Sequence, residues 1–453
     1  MVTAFEFGHI GPHEYLGALN PFQIVARPSA TGIPFGSMEG GRPFFMNPEL
    51  WQSLGWTGGQ SIQFIGNRNC GKTAAAKILS YRMARLQVGN TGHRVRPSTD
   101  DTRANAGTGE YLSWAHALEG EYTDLSKYSL NVVDPRMGMA VKEQTFIMRS
   151  MLRMSSGDLS PSERLVLRTA TAVANIEAGD DVTHNDIGIV ASSMSFEEHL
   201  KYLRQARRER GKWLELHAGD NEGIRRRLDD FSNISSKQFV RAAQRLTEKF
   251  EILAEEYGEV FGGKHSMYDL MAKPVVALDF TSLDEDTLAL SEMIFWMWRN
   301  AAIRRHDHNL MAHYEIHDEN WKRWQSKEWG RNMIAHLKKI RGSGVAVIKN
   351  LHRPSDVLQV GSDSSVERGQ AITGLRETDI WMVGQTPRSE FPELLKYVRI
   401  PQDKLDRLPT AASGEFVVII GEQPAFTIRL DDVTSQEWEF IETNQALNER
   451  IGA

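Results

Sequence analysis

Residues 66–73 read Gly66-Asn67-Arg68-Asn69-Cys70-Gly71-Lys72-Thr73: a glycine, four residues, then Gly-Lys-Thr. No other feature constrains the fold as tightly, because this spacing works only where a buried strand ends and a helix begins. Both neighbours are legible. Ser61-Ile62-Gln63-Phe64-Ile65 is a short apolar strand, and an alanine-rich helix follows from Ala74 to about Leu86. The chemistry explains each position. Glycines let the backbone turn until several N–H groups face one anion, and the helix start adds its dipole. Gly66, Asn67, Arg68, Asn69, Cys70, Gly71 and Ala74 are therefore expected to line a phosphate cradle. Lys72 is expected to reach the β- and γ-phosphates of ATP, and the Thr73 hydroxyl to ligate Mg²⁺. The bland alternative is a glycine-rich turn that happens to precede Lys-Thr.

The rest of the chain alternates in the manner such a loop requires. Apolar runs at Pro274–Leu278, His313–His317, Gly344–Ile348, Ile380–Val383 and Phe416–Ile420 read as strands. Helical patterns fall between them around 284–304 and 325–340, which indicates crossover units and a mostly parallel sheet in an α/β core. Residues 140–257 carry no convincing strand and are expected to form an all-helical insertion. Ser160-Pro161-Ser162-Glu163 is a good helix start within it. The resulting division is 1–48 as a strand-rich lead-in, 49–139 as the first half of the core, 140–257 as the insertion, 258–430 as the second half, and 431–453 as a helical tail. The stretch from Pro97 to Gly109, rich in Ser, Thr, Asp, Asn and Gly, reads as a loop.

A nucleotide-hydrolysing core also needs an acid to tune Mg²⁺ and a base to activate water. Two places offer one. Asp279 follows Val275–Leu278 but has Phe280 next to it, whereas Asp318-Glu319 follows His313–His317 and supplies both carboxylates. The second is preferred, with Asp318 toward the metal and Glu319 as the catalytic base.

Several stretches resemble the energising ATPases of conjugative type IV secretion systems, of actinobacterial type, within the hexameric FtsK/HerA superfamily. They are Thr31-Gly32-Ile33-Pro34-Phe35, Phe45-Met46-Asn47-Pro48, Gly109-Glu110-Tyr111, Asn131-Val132-Val133-Asp134-Pro135, Tyr257–Gly263 with Val276–Asp279, and Ile316-His317-Asp318-Glu319-Asn320-Trp321. The last is similar to that family's Asp-Glu-Ala-Trp signature. The resemblance covers the motor domain and implies a RecA-like core, ATP hydrolysis with Mg²⁺, assembly into a homo-hexamer, and secretion-channel or inner-membrane protein partners. DNA passing over a basic pore surface is a further implied partner. Two departures stand out. Arg68, Asn69 and Cys70 occupy loop positions where small residues are usual, and Leu351-His352-Arg353-Pro354-Ser355-Asp356 stands where the family has Thr-Gln near Pro-Ser-Asp, so His352 takes the place of the γ-phosphate sensor. A phage or mobile-element DNA-packaging motor, or a nucleotide-dependent assembly protein that does not hydrolyse, shares the same core.

Composition narrows the setting. Lys plus Arg is 53 against 59 for Asp plus Glu, a net charge of −6, which argues against a surface that coats nucleic acid throughout. The 41% hydrophobic and 25% charged content is that of an ordinary globular protein. No apolar run approaches a membrane-spanning length and the N-terminus carries no secretory pattern, so a cytoplasmic protein is expected, with peripheral attachment at the inner face of the membrane left open. The single cysteine excludes an intramolecular disulfide. Its place at a helix start leads to the expectation of an acidified, reactive thiol.

Weaker signals compete with plain structural readings. Arg341 is the preferred arginine to reach a neighbouring subunit's γ-phosphate, with Arg353 and Arg376 as alternatives. The basic run at 201–227 is interleaved with acids and reads as a solvated or subunit-contacting face rather than a nucleic-acid track. His306, His308, His313 and His317 lack metal-site spacing, and Phe295, Trp296 and Trp298 read as core or interface.

Overall fold

The computed structural model describes residues 32–86, 94–101, 104–105, 108–109, 111–124, 130–134, 136, 139–178, 182–202, 234–261, 265–266, 275–279, 311–317, 324–325, 327–338 and 345–441, with 287, 291 and 294. Eleven strands form one sheet: β1 (Ile33–Met38), β2 (Pro43–Met46), β3 (Ser61–Ile65), β4 (Arg94–Asp101), β5 (Glu121–Asp124), β6 (Val276–Asp279), β7 (Met311–His317), β8 (Val345–Leu351), β9 (Ile380–Val383), β10 (Glu415–Ile420) and β11 (Phe426–Arg429). Their order is β2-β1-β11-β10-β9-β3-β8-β7-β4-β6-β5. The seven strands from β9 to β5 pair in parallel, and the four beyond β9 extend the sheet antiparallel.

Strand β3 is buried at every position because it is enclosed edge to edge by β8 and β9 and covered on both faces. Its alternation assigns the faces. Ile62 and Phe64 join Ala346, Ile348, Ile380 and Met382 beneath helix α1 (Lys72–Leu86), whose Ala75, Ala76, Ile78, Leu79 and Met83 are all buried. Small residues on that face let the helix lie close to the sheet. Ile65, Val345, Val347, Trp381 and Val383 point the other way, onto α6 (Lys327–Leu337) and α7 (Val366–Arg376).

Helices α2 (Val141–Ser156), α3 (Pro161–Ala178), α4 (His184–Ser193) and α5 (Ser236–Phe261) have their own core. On α5 it is built from Phe239, Ala242, Leu246, Phe250, Leu253, Tyr257 and Phe261, three, four or seven residues apart. Val276 and Leu278 of β6 belong to the same cluster, so this helical unit packs on the sheet near its far edge. A short helix, α8 (Ser435–Ile441), returns to α1: Arg82 is held by Glu437 at 2.6 Å and Asp432 at 2.8 Å, and Tyr81 packs on Phe440.

The loop expected from Pro97 onward is instead partly strand, since β4 runs to Asp101. Its residues are polar, but β7 and β6 hydrogen-bond it on both sides, and that pairing overrides composition. The basic run beyond residue 202, Phe295, Trp296, Trp298, His306 and His308 lie outside the described residues.

One core residue carries a charge penalty. Lys349, in the middle of β8, is 1% exposed and donates to the Gly374 carbonyl at 3.0 Å and the Thr378 hydroxyl at 2.9 Å. Burial pushes its pKa down to about 7, against the pull of Asp379 and Glu377, from an ordinary value of 10.5. Between those values the unfolded chain binds a proton that the native chain has released. Stability therefore rises with pH across that window, by roughly 1.4 kcal/mol per pH unit at most, and is lost as pH falls toward 7. Urea unfolding of the wild type and Lys349→Met at pH 7 and pH 9.5 checks this. The difference should move in favour of the wild type at the higher pH, and a constant difference would show that Lys349 does not titrate there.

Candidate functional site

The carboxyl ends of β9, β3, β8 and β7 lie side by side along one edge of the sheet, as parallel pairing requires. The loop of residues 66–71 leaves β3 at that edge and enters α1. Three contacts fix its path. The Gly66 N–H donates to Leu351 O at 3.3 Å, Asn67 N–H to Gln385 O at 2.7 Å, and Gly414 N–H to Cys70 O at 3.0 Å. The loop is thus braced from below by the last residue of β8 and by the segments that follow β9 and precede β10. Gln385 ties two of these together by donating its side-chain amide to Pro409 O at 3.2 Å.

Within that frame the backbone adopts conformations suited to an anion. Asn69 has φ of 63° and Gly71 has φ of 91°, both left-handed, where glycine is the favoured residue and asparagine is tolerated. The N–H groups of Arg68, Asn69 and Gly71 have no hydrogen-bond partner among the described residues. Several unpaired N–H donors in one turn at a helix N-terminus form an anion-binding concavity. No acidic residue lies in the first turn of α1 to oppose a negative ligand. Lys72 is 5% exposed, and its ammonium donates to Gly66 O at 2.8 Å and Asn67 O at 2.7 Å. Donor set, charge and loop shape fit a polyphosphate. Thr73, one residue into α1, fits a metal-ligating hydroxyl at its mouth.

The thiol departs from expectation. Cys70 is 1% exposed, with its sulfur beneath the loop against Gly66 and Gly384, where an added Cβ on either glycine would come within 2.9 Å of it. Burial pushes the thiol's pKa up, outweighing the Lys72 ammonium that draws it down. The helix start does lie beside it, but desolvation wins and no reactive thiolate is presented. Cys70 serves the site through its backbone carbonyl and its small side chain.

Asp318, Glu319 and Arg341 lie outside the described residues. Their attachment points are nonetheless informative. Asp318 follows His317, the last residue of β7, and β7 is two strands from β3, or about 10 Å at ordinary strand spacing. Asp279 ends β6, four strands from β3, or about 19 Å. The final residues of β7 are themselves polar: Glu315 is fully buried, with His336 of α6 at 3.1 Å and His317 at 3.5 Å from the same carboxylate oxygen. His352 follows β8 at the loop's side of the sheet, half-buried. Arg353, next to it, is exposed, whereas Arg376 ends α7 just before β9 and so sits toward the opposite edge of the sheet.

Sequence reasoning missed the groups that hold the turn after β8. Arg353 N–H donates to Asp356 at 2.8 Å, while the Ser355 N–H and hydroxyl both donate to the Glu390 carboxylate at 3.0 and 2.9 Å. Burial raises the pKa of Asp356. It also missed Gln385 and Gly414, whose only sequence signal is a polar or glycine residue beside an apolar strand. Among the described residues no cluster of His, Cys, Asp and Glu is arranged to hold a metal, and no helix is long and apolar enough to cross a membrane.

No protein-family model matches the sequence, and neither does any curated protein. Solved structures do match. VirB4 of Thermoanaerobacter pseudethanolicus aligns over 90% of this chain and 98% of its own, with 14% identity and a TM-score of 0.57. The bacterial conjugative coupling protein TrwBdeltaN70, in an unbound form, aligns over 90% of each chain with 11% identity and a TM-score of 0.51. The plasmid coupling protein TrwB in complex with ADP and Mg²⁺ aligns over 90% of this chain and 91% of its own, with 12% identity and a TM-score of 0.50. The chain therefore has a RecA-like α/β core with helical content, the fold it shares with VirB4 and the TrwB coupling protein.

Proposed function

We infer that this chain is an ATP-hydrolysing motor of a conjugative type IV secretion or DNA-transfer apparatus. The observation that carries the reading is the loop after β3, where three N–H donors without a partner among the described residues, Lys72 and the start of α1 converge on one concavity. The structural likeness to VirB4 and TrwB supports the apparatus, and the complex of TrwB with ADP and Mg²⁺ supports the ligand.

In this reading the loop N–H groups hold the phosphate chain while Lys72 turns from its own loop carbonyls onto the β- and γ-phosphate oxygens. Thr73 and Asp318 would hold Mg²⁺, which when bound offsets charge developing on the phosphates. Glu319 takes the proton of the attacking water. The position of β7, two strands from the loop, supports this pair over Asp279. His352 senses the terminal phosphate from the end of β8, and Arg341 approaches from a neighbouring subunit of a hexameric ring. Movement of the helical insertion of residues 140–257 then couples turnover to transfer of a substrate or assembly of a channel at the inner membrane.

Phosphate release from Mg-ATP by the purified chain tests the reading. Turnover that rises with protein concentration is expected, since a neighbour completes the site. Binding of Mg-ATP without turnover at any concentration would leave a nucleotide-dependent assembly protein, and failure to bind would remove the nucleotide altogether.

A further inference from the structure

Two cations belong to the loop of residues 66–73, and they are placed in opposite ways. Lys72 is buried on the loop's own carbonyls. Arg68 is exposed at the outer turn, and no described residue gives it a hydrogen bond or an ion pair. Arg82, further along α1, is by contrast locked between Glu437 and Asp432. Arg68 sits between Asn67, whose N–H is anchored to Gln385 O, and Asn69, which turns left-handed at φ of 63°. Its own N–H is one of the unpaired donors. The residue is therefore fixed in its backbone at the rim of the anion cradle, with a long uncommitted cationic side chain.

We propose that Arg68 is a second phosphate-binding cation, acting within its own chain, that makes the site discriminate nucleoside triphosphates from diphosphates. The proposal rests on the nucleotide reading above. A guanidinium presents a planar fork of donors that pairs two oxygens of a phosphate at once, and it stays charged throughout the physiological range. The loop N–H groups serve the inner part of a phosphate chain, and Lys72 spans the β- and γ-phosphates. The added charge of a terminal phosphate is what an extra cation at the rim selects. Arg68 thus supplies from within the loop part of the charge compensation that ring ATPases commonly take from a neighbouring subunit.

Titration of the full chain with a non-hydrolysable Mg-ATP analogue and with Mg-ADP tests this for the wild type, Arg68→Ala and Arg68→Lys. Arg399→Ala serves as a charge control, because Arg399 is 95% exposed and among the described residues pairs only with Glu422, at 3.8 Å. Arg68→Ala should weaken the triphosphate analogue by about tenfold and ADP by less than about threefold, with Arg68→Lys between. Equal weakening of both ligands, or none, overturns the proposal. So does a change confined to the oligomeric state, which would make Arg68 a subunit contact. A wild-type chain that binds neither nucleotide would instead overturn the nucleotide reading, so the two failures are distinguishable.

Discussion

Glu319→Gln is expected to bind Mg-ATP as tightly as the wild type and to hydrolyse it about 10²- to 10⁴-fold more slowly, the usual worth of a positioned general base. The amide is nearly the same size as the carboxylate and can still orient a water, but it cannot take the proton. Binding should survive because the groups proposed to hold the phosphates, the loop N–H groups and Lys72, lie between β3 and the start of α1 rather than on β7. Asp279→Asn is the companion variant. It lies at the end of β6, four strands from the loop, too far for direct contact with a water beside the terminal phosphate. Rapid filtration for bound nucleotide and a phosphate-release assay read the two properties separately. If Asp279→Asn abolishes turnover while Glu319→Gln spares it, the two acids have been exchanged and the nucleotide must sit elsewhere on the sheet.

The parts of this molecule that sequence made legible are those whose signal is local. The strand before the loop, the helix after it and the apolar runs at 275–278, 345–348, 380–383 and 416–420 each bury a contiguous stretch, so residue type alone betrays them. The carboxyl half of β4 hid because it is Ser98, Thr99, Asp100 and Asp101, and its strand character comes from partners far away in sequence. β5 and β11 are four residues each, too short for any period to register. The site divides in the same way. The turn from Gly66 to Thr73 could be read because a phosphate-loop spacing demands a strand before it and a helix after it. The bracing by Gln385 and Gly414 could not, since these residues lie more than 300 positions from the loop they hold and make the contact through backbone atoms that any residue possesses. Cys70 shows the limit of local rules. A helix start favours a thiolate, but the sulfur faces the sheet, and desolvation there outweighs the dipole.

Lys72→Ala carries the largest expected loss. In the wild type the ammonium is already desolvated, held by two carbonyl oxygens of its own loop. A phosphate chain entering the cradle offers charged oxygens in exchange for neutral ones, so the swap gains electrostatic energy without a fresh desolvation cost. Hydrogen bonds to charged groups contribute roughly 1.5–3 kcal/mol each, and losing two of them lowers affinity by at least about a hundredfold. The same substitution leaves the Gly66 and Asn67 carbonyls without that donor, which raises the question of collapse of the loop rather than loss of charge. The bracing answers it: the contacts to Leu351, Gln385 and Gly414 do not involve the lysine side chain and should keep the loop in place. The variant is therefore expected to unfold within a few degrees of the wild type, yet to lose the upward shift in Tm that Mg-ATP gives the wild type by mass action. A Lys72→Ala protein stabilised by Mg-ATP as strongly as the wild type would mean that the loop is not where the phosphates bind, whatever its sequence.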